Sequence, residues 1–340
     1  MLLLLCGFFG PALSPLLLLL WPCLLLAAML LDRWLGEPSR FHPLVGFGRW
    51  AARVEAWLNR GRQRQLRGLL ATLLVLAPGL LVAGLLWWLS HTALYLWLLA
   101  EVLVLYLCIG WQSLREHVGA VAQALSANDL DGARQKLSWI VSRDTQQLAP
   151  AEVAQAGIES LLENSSDALF ASLFWFLLGG ASLTLLHRWV NTLDAMWGYR
   201  TERFNAFGRF AARFDDVLAY WPARLTALGF ALVSGHPRRA LGCWRQQAGA
   251  CASPNGGVVM TTGAGALGVL LSRRACYHGQ WKTKPPMGCG PVADAADLPR
   301  AERLIRRTLW LSLLLAVLVA LIAALMLALP VVVYPAGSSI

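Results

Sequence analysis

The sequence predicts an all-α fold, a polytopic integral membrane helical bundle with polar helical loops, in one membrane-embedded domain over residues 1–340. Three observations predict it. Hydrophobic residues make up 57% of the chain and charged residues 14%, where a soluble domain carries roughly 25% charged residues. So few charges cannot cover a water-soluble fold of this size. Apolar stretches of about 20 residues, the length a helix needs to cross about 30 Å of hydrocarbon, recur along the chain. The net charge is +10, and its arginines sit beside those stretches, as cytoplasmic loops of membrane proteins do. No zinc-finger, basic-zipper or RNA-binding signature accompanies that charge, so nucleic acid is not the implied partner; the lipid bilayer is.

Residues 2–31 are nearly all apolar and contain Pro11, Pro15 and Pro22. They lack the basic start and short core of a cleaved signal peptide and read as a membrane anchor that the prolines can break. Residues 33–68 form a loop dense in Arg. The stretches 69–89 and 92–112, separated by Ser90 and His91, read as a helical hairpin. Glu101 lies in the middle of the second. A carboxylate at membrane depth is either functional or a structural hydrogen-bond partner, and the sequence leaves both open. Residues 113–167 are polar and helical, with a turn at Asn128-Asp129 and a helix start near Pro150.

Residues 168–189 are apolar but interrupted by Gly179-Gly180, and 190–216 are polar and rich in Arg and aromatic residues. A single crossing by 168–189 would put that Arg-rich segment outside, against the charge rule. A re-entrant segment turning at Gly179-Gly180 removes the conflict, provided its broken backbone is buried in protein. Residues 217–233 form a further apolar span, 234–256 a basic linker, and 257–271 a Gly-rich, partial span. Residues 272–308 read as a polar loop and 309–329 as a final span. The seven cysteines are widely spaced with no Cys-x-x-Cys pair, which supports neither a zinc site nor a disulfide framework.

Several polar runs carry chemistry. Glu159, Glu163 and Asp167 are four apart and stack along one helical face, where like charges repel. A Mg²⁺ held by Glu163 and Asp167 and bridging to substrate phosphate would offset that repulsion, with Asn164 and Ser166 adding oxygens nearby. A solvated acidic face is the plainer alternative. Asn191 and Asp194 share a face, as do Asp216, Tyr220 and Arg224. Arg224 offers a planar fork for phosphate or carboxylate, or it closes an internal network with Asp216. Ser253-Pro-Asn-Gly-Gly257 is a turn. Gly263-Ala-Gly-Ala-Leu-Gly268 lacks the βαβ context of a dinucleotide site and reads as close helix packing. No P-loop sequence is present, so any ATP is held differently. His278 is a candidate proton donor.

Taken together, these runs resemble the adenosylcobinamide-phosphate synthase family of cobalamin biosynthesis. The matching pieces are Leu31-Asp-Arg-Trp-Leu-Gly-Glu-Pro38 with His42-Pro43, Arg143-Asp-Thr145, Glu159-Ser160 with Glu163-Asn164 and Ser166-Asp167, Asn191-Thr-Leu-Asp194 with Gly198-Tyr199, Asp215-Asp216 with Pro222-Ala-Arg-Leu-Thr226, Ser253-Pro-Asn255, Gly265-Ala-Leu-Gly268 and Tyr277-His-Gly279. The resemblance implies ATP-dependent amide formation between adenosylcobyric acid and aminopropanol or its phosphate, with ATP and Mg²⁺ as cofactors, in the bacterial inner membrane. It implies Glu159, Glu163, Asp167, Asp194, Arg143 and Asp144 as catalytic residues, with Glu163 and Asp167 on the metal. It implies substrate contacts at Asn164, Asn191, Tyr199, Asp216, Tyr220, Arg224, Ser253, Asn255 and His278. A membrane transporter and a non-catalytic membrane signalling protein are the competing classes. No feature of the sequence fixes an oligomeric state.

Overall fold

A computed structural model describes residues 15–38, 42–271, 273–277 and 279–328. Pro11 of the expected anchor and His278 lie outside the described residues. Within them, the first helix, α1, runs Pro15–Leu35, continuous through Pro22 and longer than the anchor expected to end at residue 31. The Arg-dense segment expected as a loop contains helix α2 (Pro43–Leu58) and the start of α3 (Arg64–Leu76). His42 caps α2, its ring Nδ1 accepting from the Leu44 N–H at 3.2 Å. Pro78 opens α4 (Pro78–Thr92), since the first helical position needs no donor. Helix α5 (Leu94–Cys108) follows, and Val82, Leu86 and Leu89 of α4 pack with Trp97, Leu98 and Val104 of α5.

Helices α6 (Trp111–Ser126), α7 (Leu130–Ser138) and α8 (Pro150–Asn164) carry the polar middle of the chain. Every residue from Val153 to Leu162 is buried, so α8 is the axis of the bundle. A π-helical turn, Ser165–Phe170, joins α8 to α9 (Ala171–Trp197). Helix α10 spans Arg209–Val233, α11 Pro237–Gln247, α12 Gly256–Leu267 and α13 Asp297–Ala328. Between α12 and α13 a two-stranded antiparallel hairpin, β1 (Arg274–Tyr277) with β2 (Gln280–Thr283), occupies part of the segment expected as loop. The basic linker likewise contains α11. Both corrections have one origin: these short elements are exposed or amphipathic, and a hydropathy reading registers only apolar runs.

The expected break at Gly179-Gly180 is a reversal. Gly180 has φ +63° and ψ −158°, open to glycine alone among common residues. Thr184 Oγ1 donates to the Ser172 carbonyl at 3.4 Å, although twelve residues of straight helix would separate them by about 18 Å. α9 is therefore two legs folded against each other. Glu101 holds the fold: its Oε2 accepts from the Ala181 N–H at 2.7 Å, at the first turn of the second leg. Trp97 donates a second hydrogen bond to it. The Glu101 question left open by the sequence resolves to a structural cap.

Among the described residues, four helical stretches are long and apolar enough, by length and composition, to cross a membrane: Arg64–Thr92, Leu94–Ser126, Pro150–Trp197 and Asp297–Leu327. Leu80, Leu81, Tyr95 and Leu96 on α4–α5, and Leu314, Leu318 and Leu325 on α13, are exposed, a surface suited to lipid. α10, which contains the expected span 217–233, is not among the four.

Candidate active site at the meeting of four helix ends

The polar motifs converge where the end of α8, the end of α9, the start of α10 and the start of α12 approach one another. Glu159, on α8, is 1% exposed. Its Oε2 accepts from Arg143 Nη2 at 2.7 Å and from Lys284 Nζ at 2.5 Å. Two loops far apart in sequence are thus pinned to one carboxylate. Both cations meet Glu159 on Oε2, while its Oε1 is buried without a hydrogen-bond partner among the described residues.

Glu163 and Asp167 differ. Neither forms a hydrogen bond or ion pair with another described residue. Asp167 falls inside the π turn, whose i→i+5 bonding takes it off the strict four-residue face expected from its spacing. Instead it lies within electrostatic range of Asp215, Glu163 and Asp194, with Arg188 as the nearby cation. Glu163 lies against the start of α12; a side chain at Gly256 would collide with Glu163 Oε1. The Glu163 carboxylate thus lies beside the N-terminal end of α12, a favourable placement for an anionic group. Ser253 Oγ accepts from the Asn255 and Gly256 N–H groups at 3.3 and 2.9 Å and closes that turn.

Asn191 bridges two charges. It accepts from Arg188 Nη1 at 3.4 Å and donates to the Asp215 carboxylate. Asp215 Oδ1 is buried without a partner among the described residues. Burial first, and then the charge of Asp194, push the Asp215 carboxyl up to about 7. Burial also raises Asp216, against the pull of Arg200. Asp194 folds back over Gly198, where a Cβ would collide with its Oδ1, so the glycine of that motif clears room for the acid.

Arg224 does not pair with Asp216. It donates to Asn255 Oδ1 and to the Tyr220 carbonyl, both at 2.9 Å, and its guanidinium stacks 3.4 Å above the Tyr220 ring. Asn255 in turn donates to the Asp216 carbonyl at 2.9 Å. This chain of contacts locks the Ser253–Gly256 turn onto α10. Asn164 is exposed and donates to Ser160. Asp144 stands apart from the acids and organises the hairpin, accepting from the Gly279 N–H at 2.7 Å. Tyr199 is 49% exposed and is not drawn into the cluster.

Three participants escaped the sequence reading. Lys284 looked like a solvated loop charge, Arg188 was submerged in an apolar stretch, and Gly256 looked like part of an ordinary turn. A charge within an apolar run was the one available signal, and it applied to Arg188.

Among the described residues no three His, Cys, Asp or Glu side chains converge as a metal cage. A Mg²⁺ bound through one or two carboxylates plus substrate phosphates needs no such cage. The unpartnered Glu163 and Asp167 and the orphaned Asp215 Oδ1 fit that kind of ion.

Comparison with known proteins is consistent across the chain. The CobD/Cbib protein family model matches residues 25–305. A "Cobalamin biosynthesis protein CobD" of Chromobacterium violaceum is 52% identical over 296 residues, covering 84% of this chain and 92% of the relative. Its namesake in Stutzerimonas stutzeri is 50% identical, covering 85% and 95%. The one in Mycobacterium tuberculosis is 37% identical, covering 83% and 90%. No solved structure matches.

Proposed function

The chain belongs to the CobD/Cbib protein family, and on that premise we propose that it serves cobalamin biosynthesis as an ATP-dependent acid–amine ligase of the inner membrane. Its substrates on this reading are adenosylcobyric acid and aminopropanol or its phosphate. A carboxylate does not condense with an amine unaided in water. A carboxylate oxygen of the corrinoid attacks the γ-phosphorus of ATP, giving an acyl phosphate and ADP. The amine nitrogen then attacks the acyl carbon, the C–O bond to phosphate breaks, and amide, inorganic phosphate and a proton leave.

The observation that carries this reading is the division of labour along α8. Glu159 is neutralised by Arg143 and Lys284, while Glu163 and Asp167, one and two turns on, are unpartnered. The first group holds the loops that frame the site. The second is free to act on a ligand. Mg²⁺ on Glu163 and Asp167 would neutralise the nucleotide phosphates during transfer. Asp215, with its raised carboxyl, is suited to accept the proton released by the attacking amine. Arg188, through Asn191, orients Asp215. The turn locked by Arg224 and Asn255 positions the start of α12, whose N–H groups favour phosphate oxygens.

The test is reconstitution. Purified protein is supplied with adenosylcobyric acid, aminopropanol phosphate, Mg²⁺ and ATP, and product is read by mass. One ADP and one phosphate should appear per amide. Corrinoid flux into proteoliposomes without ATP cleavage and without amide would replace the ligase with a transporter.

A further inference from the structure

A cavity of about 170 Å³ opens between the end of α10, the end of α12 and the first turns of α13. It lies at the opposite ends of α10 and α12 from the acidic cluster and shares no residue with it. Val233, Leu267 and Leu304 form an apolar wall, and Arg300, Arg303 and Arg307 line the other side. These arginines are three and four apart, so they share one face of α13. Arg300 is already engaged: it pairs with Asp297, and its Nη2 donates to the Leu267 carbonyl at 2.7 Å. Arg303 and Arg307 are exposed and have no hydrogen-bond or ion-pair partner among the described residues. Two unpaired guanidinium groups one turn apart repel each other, and an anion between them would remove that cost.

The depth of the cavity follows from α13 itself. Arg307 is followed at once by the apolar run that begins at Leu309 and continues to Ala328, with Trp310 exposed at its start. Arginines capped by an exposed Trp before an apolar span mark the headgroup level of a bilayer. On the other rim, Leu228 and Leu232 of α10 are exposed. The cavity thus sets two free cations against an apolar wall, immediately before the apolar run of α13.

We infer that this cavity binds the phosphate of an anionic phospholipid. The guanidinium groups of Arg303 and Arg307 take the phosphate oxygens, and the acyl chains lie along the exposed faces of α10 and α13. A basic pocket between helices at the headgroup level is the setting in which such lipids are held. A soluble phosphate would meet the same guanidinium groups but would leave the apolar wall without a partner.

The test uses the full chain purified in neutral detergent, with phosphatidylglycerol, phosphatidylcholine and inorganic phosphate added separately. Bound lipid is counted by native mass spectrometry, and thermal unfolding is followed in parallel. Phosphatidylglycerol should bind at a defined stoichiometry and raise the unfolding temperature, and phosphatidylcholine should do neither. The double variant Arg303→Gln/Arg307→Gln should lose roughly tenfold or more in phosphatidylglycerol affinity. Arg306→Gln, an exposed arginine that does not line the cavity, should bind as the unchanged protein does. If the double variant fails to fold, each single variant is measured, and each should lose several-fold. Unchanged binding in the cavity variants would overturn the proposal. So would an equal loss in Arg306→Gln, which would indicate unspecific charge attraction. Equal stabilisation by inorganic phosphate would make the cavity a soluble-anion site instead.

Discussion

Glu101 and Asp215 are both buried acids, but their surroundings differ. Glu101 accepts from the Ala181 N–H and from Trp97, which closes the hairpin of α9. Asp215 receives one hydrogen bond from Asn191 and keeps Oδ1 bare, among other acids. The same contrast recurs along α8, where Glu159 has two cationic partners and Glu163 has none. A buried carboxylate is costly either way. Where the fold satisfies it, the carboxylate is part of the scaffold. Where the fold supplies no cationic partner, as at Glu163 and Asp167, the proposed function gives that role to the ligand.

That distinction can be broken by substitution. The largest effect is expected at the unpartnered acids: Glu163→Gln and Asp167→Asn should leave the protein folded and inserted while amide formation falls at least about 100-fold. Residual activity should demand more Mg²⁺, read from its concentration dependence. Normal turnover in both variants would reduce the pair to a polar helix face. Next in size, Glu159→Gln should act on stability, because removing one partner of a buried ion pair costs about 3–5 kcal/mol. Denaturant titration in detergent reads it, and the effect should shrink in an Arg143→Met/Lys284→Met background.

Glu101→Ala should cost on the order of 1–3 kcal/mol by orphaning the Ala181 N–H. Hydrogen exchange at residues 179–184 should rise, with the Mg²⁺ requirement unchanged. The smallest effect sharpens the contrast through pH. The folded-state Asp215 carboxyl titrates near 7, above its unfolded value of 3.8, so the native state binds more protons between those values. Stability should therefore fall as pH rises through that window. Asp215→Asn should flatten that part of the unfolding-temperature profile; a slope unchanged by this substitution would assign it to other groups.

Much of this was legible in the residues. The membrane fold followed from composition, and the α9 reversal followed from a conflict between charge bias and a single crossing. The acids and their neighbouring Asn and Gly residues announced themselves as dense polar runs beside apolar ones. What stayed hidden depended on distance in the chain. Glu159 meets Lys284 across 125 residues, and no local pattern marks that pairing. Glu101 was ambiguous because its partner is a backbone N–H, identical at every position. The π turn at Ser165–Phe170 has no compositional signature, yet it decides where Asp167 lies.

The reversal at Gly179-Gly180 also bears on how the protein is made. Because its two legs fold back on each other, α9 returns the segment that carries Arg200 and Arg203 to the end of the bundle from which the helix started. The hairpin cannot be secured as it emerges, however, because its clasp lies on an earlier helix. Glu101 leaves the ribosome 80 residues ahead of Ala181, on the order of 4–16 s at ordinary rates of synthesis. During that interval a carboxylate waits in α5 without its helix end. Slowing translation between residues 101 and 181 lengthens the wait, and speeding it brings the clasp and its helix together sooner.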